Sequence, residues 1–201
     1  MNMERKHNDY AKLHRTEPKP PMPVQRKGQW MQTYTGKQFW PIDPRAEEVD
    51  ILDIAHSLSM QCRYAGHCQR FYSVAEHSVY VSQVIEPEFA LLGLLHDAAE
   101  AYLVDVPRPV KPYLTGYAEM EMRLEDEIAY KFGLWWDNKK TDAVKRADNA
   151  VLLAEKEDLM PNSPAPWSVP GDPADVRIMC LSPEAARGFF LKRFVELTEG
   201  K

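Results

Sequence analysis

The chain has 201 residues, 44% of them hydrophobic, and 25 Lys and Arg against 30 Asp and Glu give a formal net charge of −5. That is enough apolar material for one good core and too little length for a second catalytic domain. Beyond residue 30 the balance is 18 basic against 27 acidic side chains, which argues against a broad polyanion-binding surface and a stable nucleic-acid complex. With three cysteines there is no disulfide framework, and neither a signal-peptide pattern nor a membrane-spanning apolar stretch is found, so the expected setting is cytoplasmic, with no membrane partner.

Residues 1–30 carry seven Lys and Arg against three Asp and Glu, together with Pro18, Pro20, Pro21 and Pro23, and read as a flexible basic arm ahead of a globular domain over 31–201. Residues 33–41 alternate aromatic and polar groups around Gly36, the pattern of a short extended strap or hairpin in which Tyr34 and Trp40 anchor to the core, with stacking on a base as the alternative. Asp50, Ile51, Ile54, Ala55 and Leu58 recur at helical spacing, with Asp43-Pro44 as a start signal. A second helix is expected over 75–85 and a third over 89–102, the latter apolar until its end, free of proline, and followed by Pro107 and Pro109. A fourth covers 117–132, with Met122, Ile128 and Ala129 available for packing, and a fifth covers 140–159. Five prolines make 161–173 a loop, and Ser182-Pro183-Glu184 opens a final helix to about Thr198. The expected fold is therefore all-α, an irregular helical bundle with a short extended N-terminal strap.

The side chains with the most chemistry are His77, the adjacent His96 and Asp97, and Asp148. Two imidazoles and two carboxylates suit one divalent transition metal such as cobalt, manganese, zinc or iron, without selecting among them. Such an ion lowers the pKa of bound water towards neutrality and so generates a nucleophile for phosphorus. On the fifth helix Val144, Ala147, Asp148 and Val151 share a stripe, which turns a carboxylate towards the core, and ligation would offset that cost. Glu100 lies four residues after His96 and three after Asp97, spacings that share a helix face, and is the candidate acid/base. His67 and Arg70 read equally as phosphate contacts and as surface groups on a connector. Cys62, His67 and Cys68 match no standard paired-cysteine zinc spacing.

The segments Ser73-Val74-Ala75-Glu76-His77-Ser78, Leu95-His96-Asp97-Ala98-Ala99-Glu100, Asp105-Val106-Pro107-Arg108-Pro109-Val110-Lys111 and Arg146-Ala147-Asp148-Asn149-Ala150 together resemble the HD-domain phosphohydrolases. The resemblance spans about residues 47–160 and is nearest to bacterial 5'-deoxynucleotidases and small phage deoxynucleoside triphosphate hydrolases; residues 65–72 depart from the pattern. It implies an all-helical fold, metal ligands at His77, His96, Asp97 and Asp148, catalytic help from Glu100, a functional carboxylate at Asp105, a phosphate-binding arginine at Arg63 and a homo-oligomer such as a dimer. His67, Arg70, Arg108 and Lys111 are further cations for a phosphate chain. The expected activity is hydrolysis of phosphate from a small deoxynucleotide. Release of triphosphate from a dNTP is the alternative, and a non-catalytic nucleotide-binding module is the rival of a different class.

Overall fold

The computed structural model describes residues 25–135 and 137–199, so residues 1–24 of the arm lie outside the described residues. Arg26 is bound to the domain: its Nε donates to Asp43 Oδ2 at 2.8 Å, its Nη1 reaches Glu48 at 2.5 Å, and its guanidinium lies 4.0 Å over the Trp40 ring. Trp40 is thus a structural anchor.

The strap is a two-stranded antiparallel hairpin, β1 (Met31–Gln32) and β2 (Gln38–Phe39), with Met31 opposite Phe39. Its turn uses Gly36 at φ +84, a conformation glycine adopts without a Cβ penalty. Phe39 is fully buried and stacks on Tyr102 at 3.9 Å, and Tyr34 stacks on His56 at 3.8 Å. The rest is helical: α1 (Ile51–Met60), α2 (Val74–Val84), α3 (Ala90–Leu95), α4 (Glu100–Leu103), α5 (Tyr117–Phe132), α6 (Asn138–Leu159) and α7 (Pro183–Glu199). No helix among the described residues is long and apolar enough to cross a membrane.

The architecture is all-α, and α2 is its axis, packed against α1, α3, α6 and α7. Val74, Ala75, Val79 and Val81 are fully buried, and so are the polar Glu76, His77 and Ser78. A helix buried nearly all round must satisfy its polar side chains inside the protein: Ser78 donates to the Val74 carbonyl, Glu76 accepts from the segment before α7, and His77 alone reaches the site. Gly93 permits the close approach of α3: a Cβ there would lie 3.1 Å from Ile85 Cγ2 and 3.2 Å from Ser82 Cα.

Three sequence expectations are corrected. The start of α1 is Asp50, whose side chain accepts from Leu52 N–H at 2.9 Å, whereas Asp43 is engaged by Arg26. The expected helix over 89–102 is two helices separated by a tight turn at 96–99. The Gly93 carbonyl, which an unbroken helix would give to Asp97 N–H, accepts from His96 Nδ1 at 2.8 Å. The following bonds run three residues back, from Ala98 to Leu95 and from Glu100 to Asp97. Met122 is exposed, and Leu124 takes the core position on α5 with Ile128 and Ala129.

Candidate metal centre

Ser73 begins the site. Its side chain caps α2 by accepting from Glu76 N–H at 3.1 Å, which puts His77 one turn into the helix and fully inside. The tight turn supplies His96 and Asp97, and α6 supplies Asp148 on the stripe with the buried Val144, Ala147 and Val151. Ligand atoms of His77, His96 and Asp148 all lie within 4.8 Å of one another, so this group could hold a metal ion. Asp97 lies at its edge, with Oδ2 3.1 Å from His96 Nε2 and 3.7 Å from His77 Nε2.

The hydrogen bonds say which imidazole nitrogens are free. His77 Nδ1 faces Glu155 Oε1 at 2.6 Å and His96 Nδ1 faces the Gly93 carbonyl, so in both rings Nδ1 is the donor, and in the neutral form that ligates a metal Nε2 carries the lone pair. Both Nε2 atoms are buried without a hydrogen-bond partner. His77 Nε2 points at Asp148 Oδ1, 3.3 Å away. In the neutral rings two lone pairs would face two carboxylates and repel them unless a cation sat between, and this arrangement fits a divalent ion to these residues.

The field of the site has the same sign. Burial pulls the His96 imidazole down, but the Asp97 and Asp148 carboxylates outweigh it and push it up to about 9. Burial would raise Asp97 and Asp148; the imidazoles, with Arg63 beside Asp97, hold both well below the usual carboxylate range. Glu100 is different. Burial, with Asp97 and Asp105 nearby, pushes it up to about 9, and its Oε2 is buried without a partner.

Around the cluster stand three cations. Arg63 is buried on the loop between α1 and α2, its Nε on Glu155 Oε2 at 3.2 Å and its Nη1 3.7 Å from Asp97, a placement unlike a solvated helix end. Lys111 donates to Glu100 at 3.3 Å and to Glu121 at 2.8 Å. Arg108 pairs with Asp148 and donates to Asn149 Oδ1 at 3.3 Å. Asp105 is half-buried, and burial raises its carboxyl. It follows Val104, whose φ of +69 is strained for a β-branched residue and turns the chain out of α4. His67 is exposed on its loop, and the structure does not bring it into the cluster. Cys62, Cys68 and Cys180 are free thiols outside it.

Two side chains that organise the site escape the sequence reading. Glu155 is fully buried and accepts from His77, Arg63, Tyr64 at 2.5 Å and Tyr72 at 2.9 Å. Its signal was available, because it lies seven residues after Asp148 and so on the same face of α6. Gln61 carries no such signal. Its amide donates to the Glu100 carbonyl at 3.0 Å and accepts from Asp105 N–H at 2.9 Å, tying both carboxylate segments to α1.

No family model matches the chain. Among curated proteins it is 40% identical over 173 residues to Uncharacterized protein YfdR of Escherichia coli K12, covering 85% of this chain and 96% of that protein. The chain belongs to the YfdR family. An uncharacterized protein of Rhodobacter capsulatus is 36% identical over 118 residues, which is 54% of this YfdR-family chain and 60% of the relative.

Proposed function

We propose that this YfdR-family protein is a metal-dependent phosphohydrolase of the HD-domain type that removes phosphate from deoxynucleotides. The observation that carries the reading is the pair of buried, unpartnered Nε2 atoms aimed at Asp148 and Asp97, beside a buried carboxylic acid with an unpartnered oxygen, Glu100 Oε2. A structural metal site is closed by its ligands and needs no acid beside it.

His77, His96 and Asp148 would hold the ion, with Asp97 at its edge. A divalent ion bound there supplies Lewis-acid stabilisation of charge on a phosphoryl group. Arg63 is the cation that can meet a phosphate oxygen from the protein side, since its Nε is engaged by Glu155 while Nη1 faces the cluster. Glu100, kept neutral by burial, holds a proton at Oε2 and can give it to a leaving oxygen; Lys111 orients its other oxygen. Water forms the new bond to phosphorus as the leaving oxygen departs, and Asp105 can accept the proton that the water loses. The nucleotide half of the reading rests on the motif resemblance, and a cleft of about 430 Å³ beside the hairpin, walled by Tyr34, His56 and Gln61, suits a base and sugar.

Arg108 favours one variant of this reading. With Lys111 it adds a second and third cation at the rim, as a triphosphate would require, and its side chain is 56% exposed at the edge of the site, where it pairs with Asp148. The deciding experiment is product analysis of the purified protein with cobalt, manganese or zinc against dNMPs and dNTPs. Orthophosphate from monophosphates is the expected result. Triphosphate from dNTPs would select the variant, and no turnover with any metal would overturn both in favour of a binding module.

A further inference from the structure

We infer that Glu155 is a positioning residue that selects the metal-binding tautomer of His77 and orients Arg63 at the same time. The inference rests on the reading of the His77, His96 and Asp148 group as a metal site, and not on any particular substrate.

The two oxygens of Glu155 have divided duties. Oε1 accepts from His77 Nδ1 at 2.6 Å and from Tyr72 at 2.9 Å; Oε2 accepts from Arg63 Nε at 3.2 Å and from Tyr64 at 2.5 Å. Glu155, His77 and Tyr72 all have zero solvent exposure, so on the Oε1 side water cannot replace a lost acceptor. The alternative tautomer of His77 is not a remote possibility. Its Nε2–H would donate to Asp148 Oδ1, already 3.3 Å away, and would close the position a cation needs. A carboxylate on Nδ1 prevents that, because it can only accept and therefore keeps the hydrogen on Nδ1.

Substitution by glutamine exploits the asymmetry of the partners. An arginine has no acceptor, so the glutamine carbonyl must turn to Arg63 and its NH₂ group must face His77 and Tyr72. Tyr72 can rotate its hydroxyl and accept. His77 can accept only by moving its hydrogen to Nε2, which aims a donor at Asp148 and excludes the ion. His96 is an internal control, since its Nδ1 is held by the Gly93 carbonyl and is independent of Glu155.

The test is calorimetric titration of the full-length metal-free protein with zinc alone. Glu155→Gln is expected to weaken zinc binding by roughly 10- to 100-fold, the usual cost of losing a partner behind a metal-bound histidine. Tyr72→Phe, which removes a donor from the same oxygen without touching the tautomer, is expected to leave affinity within about threefold while lowering the melting temperature. A folded Glu155→Gln protein with wild-type affinity overturns the inference. If the wild type itself takes up no zinc, the metal reading falls and this inference with it; if wild type binds zinc but hydrolyses nothing, the inference stands without the proposed activity. Should Glu155→Gln fail to fold, the long-range proton–nitrogen spectrum of the zinc-loaded wild type decides. A protonated, slowly exchanging His77 Nδ1 with Nε2 on the metal supports the inference, and coordination through Nδ1 overturns it.

Discussion

Glu76 and Glu155 are the same residue type at the same zero exposure, on the two helices that supply His77 and Asp148, yet they do different work. Glu76 accepts from the backbone N–H groups of Met179, Cys180 and Leu181 at 3.0, 3.0 and 2.8 Å, and from Tyr80 at 3.1 Å. Its donors are main-chain amides from the segment before α7, so it ties the C-terminal part of the chain to the central helix. Glu155 takes its donors from ionisable side chains, two of which, His77 and Arg63, adjoin the candidate metal group. A buried carboxylate is thus a structural tie when its partners are amides that cannot change state, and part of a site when its partners can change tautomer, charge or direction.

Glu100 marks the limit of that contrast, because it is buried with one oxygen left over. Glu100→Gln keeps the shape and the Lys111 contact but cannot release a proton. Turnover on the substrate found by product analysis is expected to fall by about 10²- to 10⁴-fold, the usual range for a general acid or base, with zinc affinity and melting temperature little changed. An undiminished rate in this variant would remove Glu100 from the chemistry.

Glu76→Ala is expected to cost about 3–5 kcal/mol, since three amides lose their acceptor at about 1–3 kcal/mol each, with water relieving the less buried ones. Urea unfolding monitored by circular dichroism reads that loss, and zinc titration of the folded variant is expected to give wild-type affinity. A comparable loss of zinc binding would mean that the two carboxylates are not separable in the way their donors suggest.

Metal removal separates them from the other direction. A ligand bound only by the folded state at a hundred times its Kd stabilises by about 2.7 kcal/mol, so chelation is expected to lower the wild-type melting temperature by roughly 5–10 °C. The Glu76→Ala protein, already less stable, is expected to lose the same increment on chelation. In Glu155→Gln, with a Kd raised 10- to 100-fold, the increment at the same free zinc shrinks to about 0.4–1.4 kcal/mol. Equal shifts on chelation in wild type and Glu155→Gln would contradict the division of labour.

Sequence pattern carried the site as far as side-chain type could. His77, His96 and Asp148 were legible as a candidate ligand set from residue type, from the apolar stripe that carries Asp148 and above all from the motif resemblance, and α5 has the expected bounds, its end set by Gly133 at φ +65. The break between α3 and α4 was not legible. Nothing in an apolar, proline-free run signals that the His96 side chain will take the Gly93 carbonyl. Glu155 was missed because a glutamate on a helix ordinarily reads as solvated, although its seven-residue spacing from Asp148 put it on the core face. The loop over 62–73 stayed opaque for another reason: its shape depends on long-range bonds, Arg63 N–H to Tyr72 O at 2.9 Å and Gln69 N–H to Leu159 O at 2.9 Å, which leave no local pattern.

The smallest expected effect concerns Glu125, a half-buried carboxylate on α5. Burial, with Glu121 beside it, pushes its carboxyl up to about 7 from an ordinary 4.5, whereas Glu155, although more deeply buried, is held at about 2 by Arg63 and His77. The two therefore bend stability against pH in opposite directions. Glu155 contributes stability that is present above its unfolded value and is lost as pH falls through about 2. The folded state prefers Glu125 protonated, so its contribution is complete below about 4.5, is lost as pH rises to about 7, and stays lost above that. Glu125→Gln is expected to remove this decline. The variant and wild type should have equal stability near pH 4, diverge between about 4.5 and 7 in favour of the variant, and run parallel above, with a slope difference below the one-proton limit of about 1.4 kcal/mol per pH unit because the side chain is partly solvated. Urea midpoints measured from pH 4 to 9 test it, and parallel curves throughout would show that solvent or Lys111 compensates Glu125 as effectively as side-chain donors compensate Glu155.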